Sequence, residues 1–541
     1  MTAPVDEAEP KAAPSASPGA AATNDHASWT PSFNPWLIAL SVMLATFMEV
    51  LDTSIANVAL PSIAGNLSAT IDEATWVLTS YLVSNAIILP ATAWLSSVFG
   101  RKRFLVGCII IFTIMSALSG AATSLNMLVV ARVLQGFGGG ALQPIAQAVL
   151  LESFPPHKRG QAMAVYGMGV VVAPVIGPLL GGWITDNYSW RWIFYINIPF
   201  GILASFMAYS FVEDPPYLKR STQRIDYMGF GFMALWLAAL QIVLDRGQTE
   251  DWFAAPWILW LSIISGLSMI AFIAWELWVE HPIVDLRVLR DRNFAVATTL
   301  MTILGLVLYG STALLPMYLQ NLMGYPAFDS GLTISPRGVG AFTSMIIVAR
   351  LIGRVDTRKL IGFGFLLMTG TFNMLSHLSM DITPWNVVFP NLVNGLAMGF
   401  IFVPLTTAST ATLPREEIAN ASGIYNLMRN LGGSFGISIV TTMLARASQA
   451  HQANMVRHMS VYNPTFNHTV AAAQWGLAAA SGPVAAKQQA LGLMYGLLVQ
   501  QSTLKAFMDT FHDMSIMCAL CLPLLLMMRK AKPPSGPVVV H

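Results

Sequence analysis

Apolar runs of about twenty residues recur along nearly the whole chain, and they constrain its fold more than any other feature. A helix needs roughly 20 apolar residues to cross the hydrocarbon core of a bilayer. Backbone polar groups find no partners in lipid, so each run is predicted to be a transmembrane helix. The sequence therefore predicts an all-α polytopic membrane protein. Fourteen runs are recognised, centred near residues 46, 86, 112, 139, 172, 203, 236, 265, 304, 339, 368, 397, 431 and 519.

Composition agrees with a membrane protein and excludes several other classes. Of the 541 residues, 55% are hydrophobic and 10% are charged, whereas soluble globular proteins carry about 25% charged residues. The net charge of +2 comes from short basic clusters between apolar runs, so no nucleic-acid partner is predicted. Cys108, Cys518 and Cys521 lie within apolar runs and predict neither a disulfide framework nor a metal site. No Gly-x4-Gly-Lys-Ser/Thr phosphate loop is found. We therefore expect no cofactor and no enzyme activity, with energy drawn from an ion gradient or from the substrate's own gradient.

The basic residues predict the orientation of the chain in the membrane. Short loops rich in Lys and Arg favour the cytoplasmic side. The loops after even-numbered runs and the C-terminal tail contain Arg101, Lys102, Arg103, Lys158, Arg159, Lys219, Arg220, Arg224, Arg287, Arg290, Arg292, Arg350, Arg354, Arg358, Lys359, Arg415, Arg529, Lys530 and Lys532. The short loops on the other side contain Arg191, Arg246 and Arg337. Both termini are therefore predicted to be cytoplasmic.

Two parts of the chain repeat at an offset of 259 residues. The matched positions are Gln135-Gly136 with Asn394-Gly395, Gly140 with Gly399, Pro155 with Pro414, Ala162 with Ala421, Tyr166 with Tyr425, and Gly177 with Gly436. Duplicated halves are typical of transporters, and they place the substrate path between the halves. The predicted units are a disordered tail (1–33), a six-helix bundle (34–213), a linker with two extra transmembrane helices (214–292), a second six-helix bundle (293–530) with a long outer loop (447–505), and a tail (531–541).

Two carboxylates lie three residues apart in the first run, Glu49 and Asp52. Residues at this spacing share one face of a helix. Ionisable groups inside a bilayer are costly and are functional candidates by default. Two close carboxylates resist simultaneous ionisation, so one of them is expected to bind a proton near neutral pH. We predict a proton-coupling site at Asp52, assisted by Glu49; the alternative is that Asp52 braces the bundle through hydrogen bonds.

Two arginines lie in the fourth and thirteenth runs, Arg132 and Arg429. A guanidinium at membrane depth needs a carboxylate, carbonyl or water as partner. Arg132 is predicted to tune the carboxylates or relay protons, with a structural tie between helices as the alternative. Asn57, Gln135 and Arg429 are predicted to line the substrate cavity, and for Arg429 a purely structural role is equally open.

The fifth run combines glycines with prolines, which predicts a bendable helix. Pro178 removes a backbone donor, and Gly177 and Gly181 permit close helix contact. We predict a gating role for these three residues; the alternative is tight packing alone. Arg101 and Lys102, in the loop after the second run, are predicted either to latch a gate against acidic partners or only to set topology.

Five segments in this order resemble the Major Facilitator Superfamily, in particular its fourteen-span drug:proton antiporter group of the EmrB/QacA type. They are Leu51-Asp52-Thr53-Ser54-Ile55-Ala56-Asn57-Val58-Ala59-Leu60-Pro61, Arg132-Val133-Leu134-Gln135-Gly136, the span from Gly169 to Gly182, Trp190-Arg191-Trp192-Ile193-Phe194-Tyr195-Ile196-Asn197-Ile198-Pro199, and Pro282-Ile283-Val284-Asp285-Leu286. The resemblance covers nearly the whole chain after residue 34. One departure weakens the predicted latch at Arg101: Ala93 and Ser97 replace the glycine and aspartate of the superfamily's motif.

The resemblance implies a function that the residues alone leave open. It implies a bacterial inner-membrane protein that exports hydrophobic or amphipathic small molecules in exchange for protons by rocking two bundles, with Arg132 in proton transfer. It also implies a periplasmic membrane-fusion adaptor and an outer-membrane channel as partners, with the loop around Tyr462-Asn463-Pro464-Thr465-Phe466 as a contact. The alternatives are an exporter dedicated to one metabolite class (siderophore, fatty acid or lipid), an uptake symporter, and a membrane scaffold or sensor that does not transport.

Overall fold

The computed structural model describes residues 31–155, 158–215, 226–280, 282–460 and 462–529. Most of the predicted tails 1–33 and 531–541 lies outside the described residues. The same holds for Lys219, Arg220, Arg224, Lys530 and Lys532 of the predicted basic loops and tail.

Long α-helices dominate the described residues. They are α1 (Pro35–Asn66), α2 (Trp76–Phe99), α3 (Arg101–Gly120), α4 (Leu125–Ser153), α5 (Arg159–Asn187), α6 (Asn197–Phe211), α7 (Tyr227–Arg246), α8 (Pro256–Trp278), α9 (Arg292–Met317), α10 (Pro336–Leu351), α11 (Thr357–Leu375), α12 (Trp385–Ser409), α13 (Ile418–Val456), α14 (Pro464–Ser481) and α15 (Pro483–Leu524). Shorter helical segments are Ile71–Ala74, Trp192–Tyr195, Trp252–Ala254, Leu286–Arg290, Tyr318–Leu322, Ala327–Ile334, Arg415–Glu417 and Leu525–Met527.

The described helices account for most of the fourteen predicted membrane spans. Within the described residues, 11 helices are long and apolar enough to cross a membrane, or 12 if the bent helix α5 counts as one span. The runs predicted near residues 368 and 431 coincide with α11 and α13, which are helical but too polar to qualify by composition. The total of fourteen spans therefore stays a prediction.

The same helix pairs pack together in the two halves of the chain. In the first half α1 lies against α5, and α2 against α4; in the second half α9 lies against α13, and α10 against α12. Helices α1–α6 form one bundle, and α9–α13 with α15 form the other. The offset of 259 residues relates each pair of the first bundle to its counterpart in the second.

Glycines allow the closest of these crossings. A Cβ on Gly136 of α4 would lie 2.5 Å from the Tyr81 carbonyl oxygen of α2, and one on Gly395 of α12 would collide with the Arg337 carbonyl oxygen of α10. Gly136 and Gly395 are matched positions of the repeat. In membranes, where lipid is as apolar as the helices, such close backbone contact is a main source of helix association.

Helix α7 contacts both bundles, while α8 packs mainly on α7. Near the end of α7, Asp245 accepts a hydrogen bond from Thr79 of α2, and the Arg246 guanidinium lies 5.2 Å from the centre of the Trp76 ring. Ser434 of α13 donates to Gln241 of α7 at 2.9 Å. The two intervening helices therefore lie against the seam between α2 and α13.

The predicted outer loop 447–505 consists mostly of helices. Helices α13 and α15 have 39 and 42 residues, roughly twice what a bilayer core of about 30 Å requires at 1.5 Å per residue. Helix α14 packs on α15, and His451 of α13 pairs with Asp509 of α15 at 2.6 Å. We call this segment, residues 447–505, the helical projection. Its low hydropathy suggested a loop, although Asn463 capping α14 at Pro464 is a helix-start pattern.

The glycine crossings predict a specific loss of stability. Gly136→Ala and Gly395→Ala each force a methyl group against a backbone carbonyl, and we expect each to cost about 1–3 kcal/mol. Thermal unfolding in detergent, followed by tryptophan fluorescence, measures the effect. Gly370→Ala in α11 is the control, because a Cβ there meets nothing within 4 Å. Equal melting temperatures for all three variants would contradict the role of the crossings.

Candidate functional site

A buried ion pair lies at the centre of the first bundle. Arg132 Nη1 of α4 donates to Asp52 Oδ2 of α1 at 2.6 Å, and both side chains are almost completely buried. The guanidinium also lies 4.2 Å from the centre of the Tyr81 ring and 5.6 Å from that of Phe194. The predicted need of Arg132 for a carboxylate is thus met by Asp52 itself.

Amide side chains complete the surroundings of Asp52. Its Oδ1 accepts from Gln135 Nε2 at 3.1 Å and from Asn197 Nδ2 at 2.7 Å. Gln135 Oε1 accepts from Arg132 at 3.0 Å, and Asn197 also donates to Ser116 Oγ at 3.0 Å. Asp52 therefore joins α1, α4 and α6, and both of its oxygens are used. Gln135 hydrogen-bonds both members of the ion pair, and its cavity role stays a prediction.

Glu49 belongs to a second network with neutral donors. Its Oε1 accepts from Tyr81 Oη at 3.1 Å and from Asn85 Nδ2 at 3.2 Å. Its Oε2 accepts from Gln143 Nε2 of α4 at 2.7 Å. Glu49 and Asp52 lie three residues apart in the continuous helix α1, and both are buried. Tyr81 links their two networks, because its ring lies over the Arg132 guanidinium and its hydroxyl binds Glu49.

The network of Glu49 crosses from one bundle to the other. Gln143 Oε1 accepts a hydrogen bond from Arg429 Nη2 of α13. One turn before Arg429, Asn426 Nδ2 donates to Gln147 Oε1 of α4 at 2.6 Å. The amide of Gln143 therefore connects a carboxylate of the first bundle with a guanidinium of the second. Arg429 is 2% exposed, so the connection is shielded from solvent.

Aromatic side chains surround the Arg429 end of this network. The hydroxyls of Tyr166, Tyr309 and Tyr425 are close enough to interact electrostatically with the guanidinium. Tyr166 of α5 stacks on Phe402 of α12, with ring centres 6.3 Å apart. The meeting point of the two bundles is thus apolar and aromatic around a small polar centre, as in many pockets for small molecules.

Asn57 lies away from both networks. Its side chain is exposed, and its Nδ2 donates to the Thr53 carbonyl one turn earlier in α1 at 3.0 Å. Thr53 is half-buried, and its hydroxyl bonds the Glu49 carbonyl at 3.2 Å. Asn57 thus continues the helix face of Glu49 towards the end of α1, and its cavity role stays a prediction.

The glycines and prolines of α5 contact α1. A Cβ on Gly177 would lie 2.5 Å from Ser54 Cβ, and one on Gly181 would lie 3.1 Å from the Ile55 carbonyl oxygen. Pro178 has no N–H for the carbonyl four residues earlier, and that carbonyl, of Pro174, accepts from Ser54 Oγ at 3.2 Å. Helix α5 bends by 41° at this point. Proline is an established cause of such bends.

Arg101 finds an acidic partner inside its own bundle. Its Nη1 and Nη2 donate to the two carboxylate oxygens of Glu152 at 2.5 and 3.1 Å, joining the start of α3 to the end of α4. Lys102 contacts the end of α6 and the residues after it: its backbone N–H donates to Asp214 at 2.7 Å, and its Nζ lies 5.2 Å from the Tyr209 ring centre. These contacts lie within the first bundle, and the latch role of both residues stays a prediction.

The segment around Asp285 ties the loop before α9 to α13. Asn420 Nδ2 donates to the Asp285 carbonyl at 2.9 Å, and the Asp285 N–H donates back to Asn420 Oδ1 at 3.2 Å. Glu417 lies beside this tie, where burial and the neighbouring carboxylates of Asp285, Glu416 and Asp291 raise its pKa. Carboxylates thus gather just before the first turn of α13, the helix that carries Arg429, where negative charge suits the helix dipole.

Sequence reasoning missed most of the amides that complete the two networks. They are Asn85, Gln143, Gln147, Asn197 and Asn426, together with Tyr81 and Glu152. Each of these amides is an isolated polar residue in an apolar run. Buried polar groups need partners, so this pattern could have marked them. In the part of the chain that the structure describes, no group of three His, Cys, Asp or Glu could hold a metal.

Comparison with known proteins gives the same family as the motifs. The model of the Major Facilitator Superfamily matches residues 42–437. The chain is 38% identical over 501 residues to the fatty acid resistance protein FarB of Neisseria gonorrhoeae, covering 92% of this chain and 96% of that protein. It is 36% identical over 506 residues to the multidrug export protein EmrB of Escherichia coli (strain K12), again covering 92% and 96%.

The fold is also found among solved structures. The human organic anion transporter TETRAN superposes with a TM-score of 0.59 at 12% identity, covering 91% of this chain and 100% of that chain. At that identity the likeness concerns the fold alone. From the match over most of its length and from its identity to full-length relatives, the chain belongs to the Major Facilitator Superfamily and, within it, to the family of EmrB-type export proteins.

Proposed function

We propose that this protein exports hydrophobic or amphipathic small molecules across a membrane in exchange for protons. The observation that carries the proposal is the chain Glu49–Gln143–Arg429, which joins a carboxylate of one bundle to a cation of the other through a single amide. Full-length relatives named as multidrug export proteins support the export function. The energy source in this proposal is the proton gradient, with no cofactor.

The contact between the bundles suits a rocking motion. The polar links that cross it near the site are those of Gln143 with Arg429 and of Gln147 with Asn426. The amide–amide bond contributes about 1 kcal/mol and the bond to the guanidinium about 1.5–3 kcal/mol, so both cost less to break than a buried ion pair. The interior of each bundle is tied more firmly, by the Arg132–Asp52 pair and by the close glycine crossings. Rigid halves with a weakly bonded interface are what alternating access requires.

Of the two carboxylates, Glu49 is the better proton carrier in this geometry. Protonation of Asp52 would leave Arg132 buried without its counter-charge, and breaking a buried pair in this way is strongly unfavourable. The direct partners of Glu49 are neutral donors. Proton binding there alters the bond to Gln143 and through it the hold on Arg429. In this proposal Glu49 couples, while Asp52, Arg132 and Gln135 keep the helices in register.

The range of substrates is open between two versions of this function. One is broad efflux, and the other is export of a single class such as siderophores, fatty acids or lipids. The printed names of the relatives include both kinds, a multidrug export protein and a fatty acid resistance protein. A gating role for Gly177, Pro178 and Gly181 belongs to either version, because Gly177 and Gly181 lie against α1 close to the bend of α5.

We also propose a bacterial inner-membrane location with cytoplasmic termini, and an adaptor protein that docks on the helical projection. The projection has a small core of its own, formed by Val470, Ala490 and Met494, and a predominantly exposed outer surface. On that surface Trp475 is 87% and Tyr462 is 92% exposed. Exposed aromatic side chains are enriched in the centres of protein interfaces.

The coupling role predicts different outcomes for the two carboxylates. We expect Glu49→Gln to abolish proton-driven movement of a neutral amphipathic dye in proteoliposomes, while downhill dye movement and thermal stability stay near wild type. Asp52→Asn should instead lower stability by about 3–5 kcal/mol, because Arg132 loses its counter-charge. Dye flux with and without a pH gradient, and the melting temperature in detergent, measure both effects.

The reverse result for the two carboxylates would contradict the coupling role of Glu49. If Glu49→Gln keeps full proton-driven transport and stable Asp52→Asn protein loses it, the proton carrier is Asp52. If wild-type protein moves no dye under any gradient, the export function itself is wrong for this class of compound.

The adaptor contact predicts a local effect of the exposed tryptophan. Trp475→Ala should weaken binding of a co-expressed membrane-fusion adaptor by about 2 kcal/mol, roughly 30-fold, as expected of an aromatic anchor. Proteoliposome transport should be unchanged, because Trp475 lies on the exposed surface of the helical projection and belongs to neither network. Trp278→Ala at the end of α8 is the matched control, with an exposure of 78%. Undiminished co-purification with both Trp475→Ala and Tyr462→Ala would exclude this surface.

A further inference from the structure

We propose that a small monovalent anion such as chloride binds beside Arg337, inside the second bundle, and supplies a counter-charge there. The inference goes beyond the proposed export function and does not depend on it. It is carried by a buried guanidinium with two unpartnered nitrogens, next to the positions that match the ion pair of the first bundle.

The Arg337 guanidinium has one edge without hydrogen bonds. Arg337 is the second residue of α10 and is 3% exposed. Its Nη1 donates to Thr312 Oγ1 of α9 at 3.2 Å. Among the described residues, Nε and Nη2 have no hydrogen-bond partner, although both atoms are buried. These two nitrogens form one edge of the planar guanidinium, the fork that binds anions through two parallel N–H bonds.

The described residues include five buried arginines, and four of them have a carboxylate nearby. The four are Arg101 with Glu152, Arg132 with Asp52, Arg246 beside Asp245, and Arg429 facing Glu49 across Gln143. Within the described part of the chain, no acidic side chain interacts with the Arg337 guanidinium. A buried charge without a counter-charge is strongly unfavourable, so this position favours an anion taken up from solution.

The repeat accounts for the missing carboxylate. The polar residues of the ion pair in the first bundle have neutral counterparts at the offset of 259 residues: Asp52 matches Ser311, Arg132 matches Asn391, and Gln135 matches Asn394. The second bundle receives its guanidinium from α10 instead, at Arg337, which matches Leu78. Its partner Thr312 directly follows the counterpart of Asp52. A cation is therefore present beside the matched position, and the carboxylate is not.

Two asparagines of α12 add further unpartnered polar atoms to this bundle. Asn391 is 0% and Asn394 is 1% exposed. In the described residues, Asn391 Oδ1 and both polar atoms of the Asn394 side chain have no hydrogen-bond partner. Asn394 directly precedes Gly395, where α12 lies against the Arg337 carbonyl of α10. Buried amides need partners, and Asn394 Nδ2 is an amide donor available to an anion beside Arg337.

The charge and the enclosure of the site define the class of anion. One uncompensated guanidinium is neutralised by one negative charge, which favours a monovalent ion over a divalent one. The residues around it belong to α9, α10 and α12 of a single bundle, and Arg337, Asn391 and Asn394 are almost completely buried. An organic anion with a tail would need space that these packed helices do not offer. The beginning of α10 adds the positive end of a helix dipole.

Chloride binding and chloride-dependent stability test the inference directly. Purified protein in nanodiscs of neutral phosphatidylcholine is placed in gluconate buffer, and chloride replaces gluconate at constant ionic strength. We expect saturable binding of radioactive chloride. At a chloride concentration well above the dissociation constant, the melting temperature of wild type should be higher by about 3–5 °C.

Two variants of the site should lose this response for opposite reasons. Arg337→Gln removes the cation and should reduce bound chloride at least about tenfold, as for loss of hydrogen bonds from a charged group. In gluconate it should melt no lower than wild type, because the uncompensated charge is gone. Thr312→Asp places a carboxylate beside Arg337 Nη1. It should bind no chloride and should melt at the same temperature in both buffers.

Arg246→Gln is the matched control, because Arg246 is a buried arginine that already lies beside a carboxylate, that of Asp245. It should bind chloride as wild type does. Wild-type protein that binds no chloride and melts equally in both buffers would overturn the proposal and leave Arg337 solvated by water only. Chloride binding that survives both Arg337→Gln and Thr312→Asp would place the anion elsewhere. An equal loss in Arg246→Gln would make the effect unspecific.

Discussion

Burying a charge in an apolar interior is unfavourable, and this constraint decides how the polar residues of the structure are arranged. At the Arg132–Asp52 pair each buried charge has its counter-charge in direct contact. The guanidinium has its carboxylate at 2.6 Å, an amide, a backbone carbonyl and two aromatic rings around it. Asp52 in turn accepts from Gln135 and Asn197. Removal of either charge would leave the other unpaired at a depth where water is scarce. The first bundle is therefore rigid about this pair.

The contact between the bundles follows a different rule. Near the site, two amide side chains of α4 make its polar links. Gln143 bonds Arg429 of α13, and Gln147 bonds Asn426 of α13. Amides serve as both donors and acceptors, so they can change partners without leaving a charge uncompensated. A carboxylate directly on Arg429 would fasten the halves together much more strongly. The amide of Gln143 hydrogen-bonds both Glu49 and Arg429, and this link between the bundles is weaker than a direct ion pair would be.

The sequence predicted the class of fold because periodicity and length of apolar runs are local properties. Asp52, Glu49, Arg132 and Arg429 were found because charge in an apolar run is conspicuous. Their partners were not, since which helix faces which depends on packing that no local pattern encodes. The cavity role of Gln135 and the gate role of Arg101 were predicted without their partners, which the structure identifies as Asp52 and Glu152; both roles stay predictions. The helical projection was missed because its helices are stabilised by one another rather than by lipid.

The repeat shows which buried charges the two halves do not share. At the offset of 259 residues, Asp52 and Arg132 correspond to Ser311 and Asn391, whose side chains bond back to their own helices. Arg429 corresponds to Val170. The ion pair thus has no counterpart at the matched positions of the second half, and the interface guanidinium has none in the first. A duplicated scaffold supplies two similar bundles, and the exchange of a few polar residues gives one of them a buried ion pair and the other a buried cation bonded across the interface.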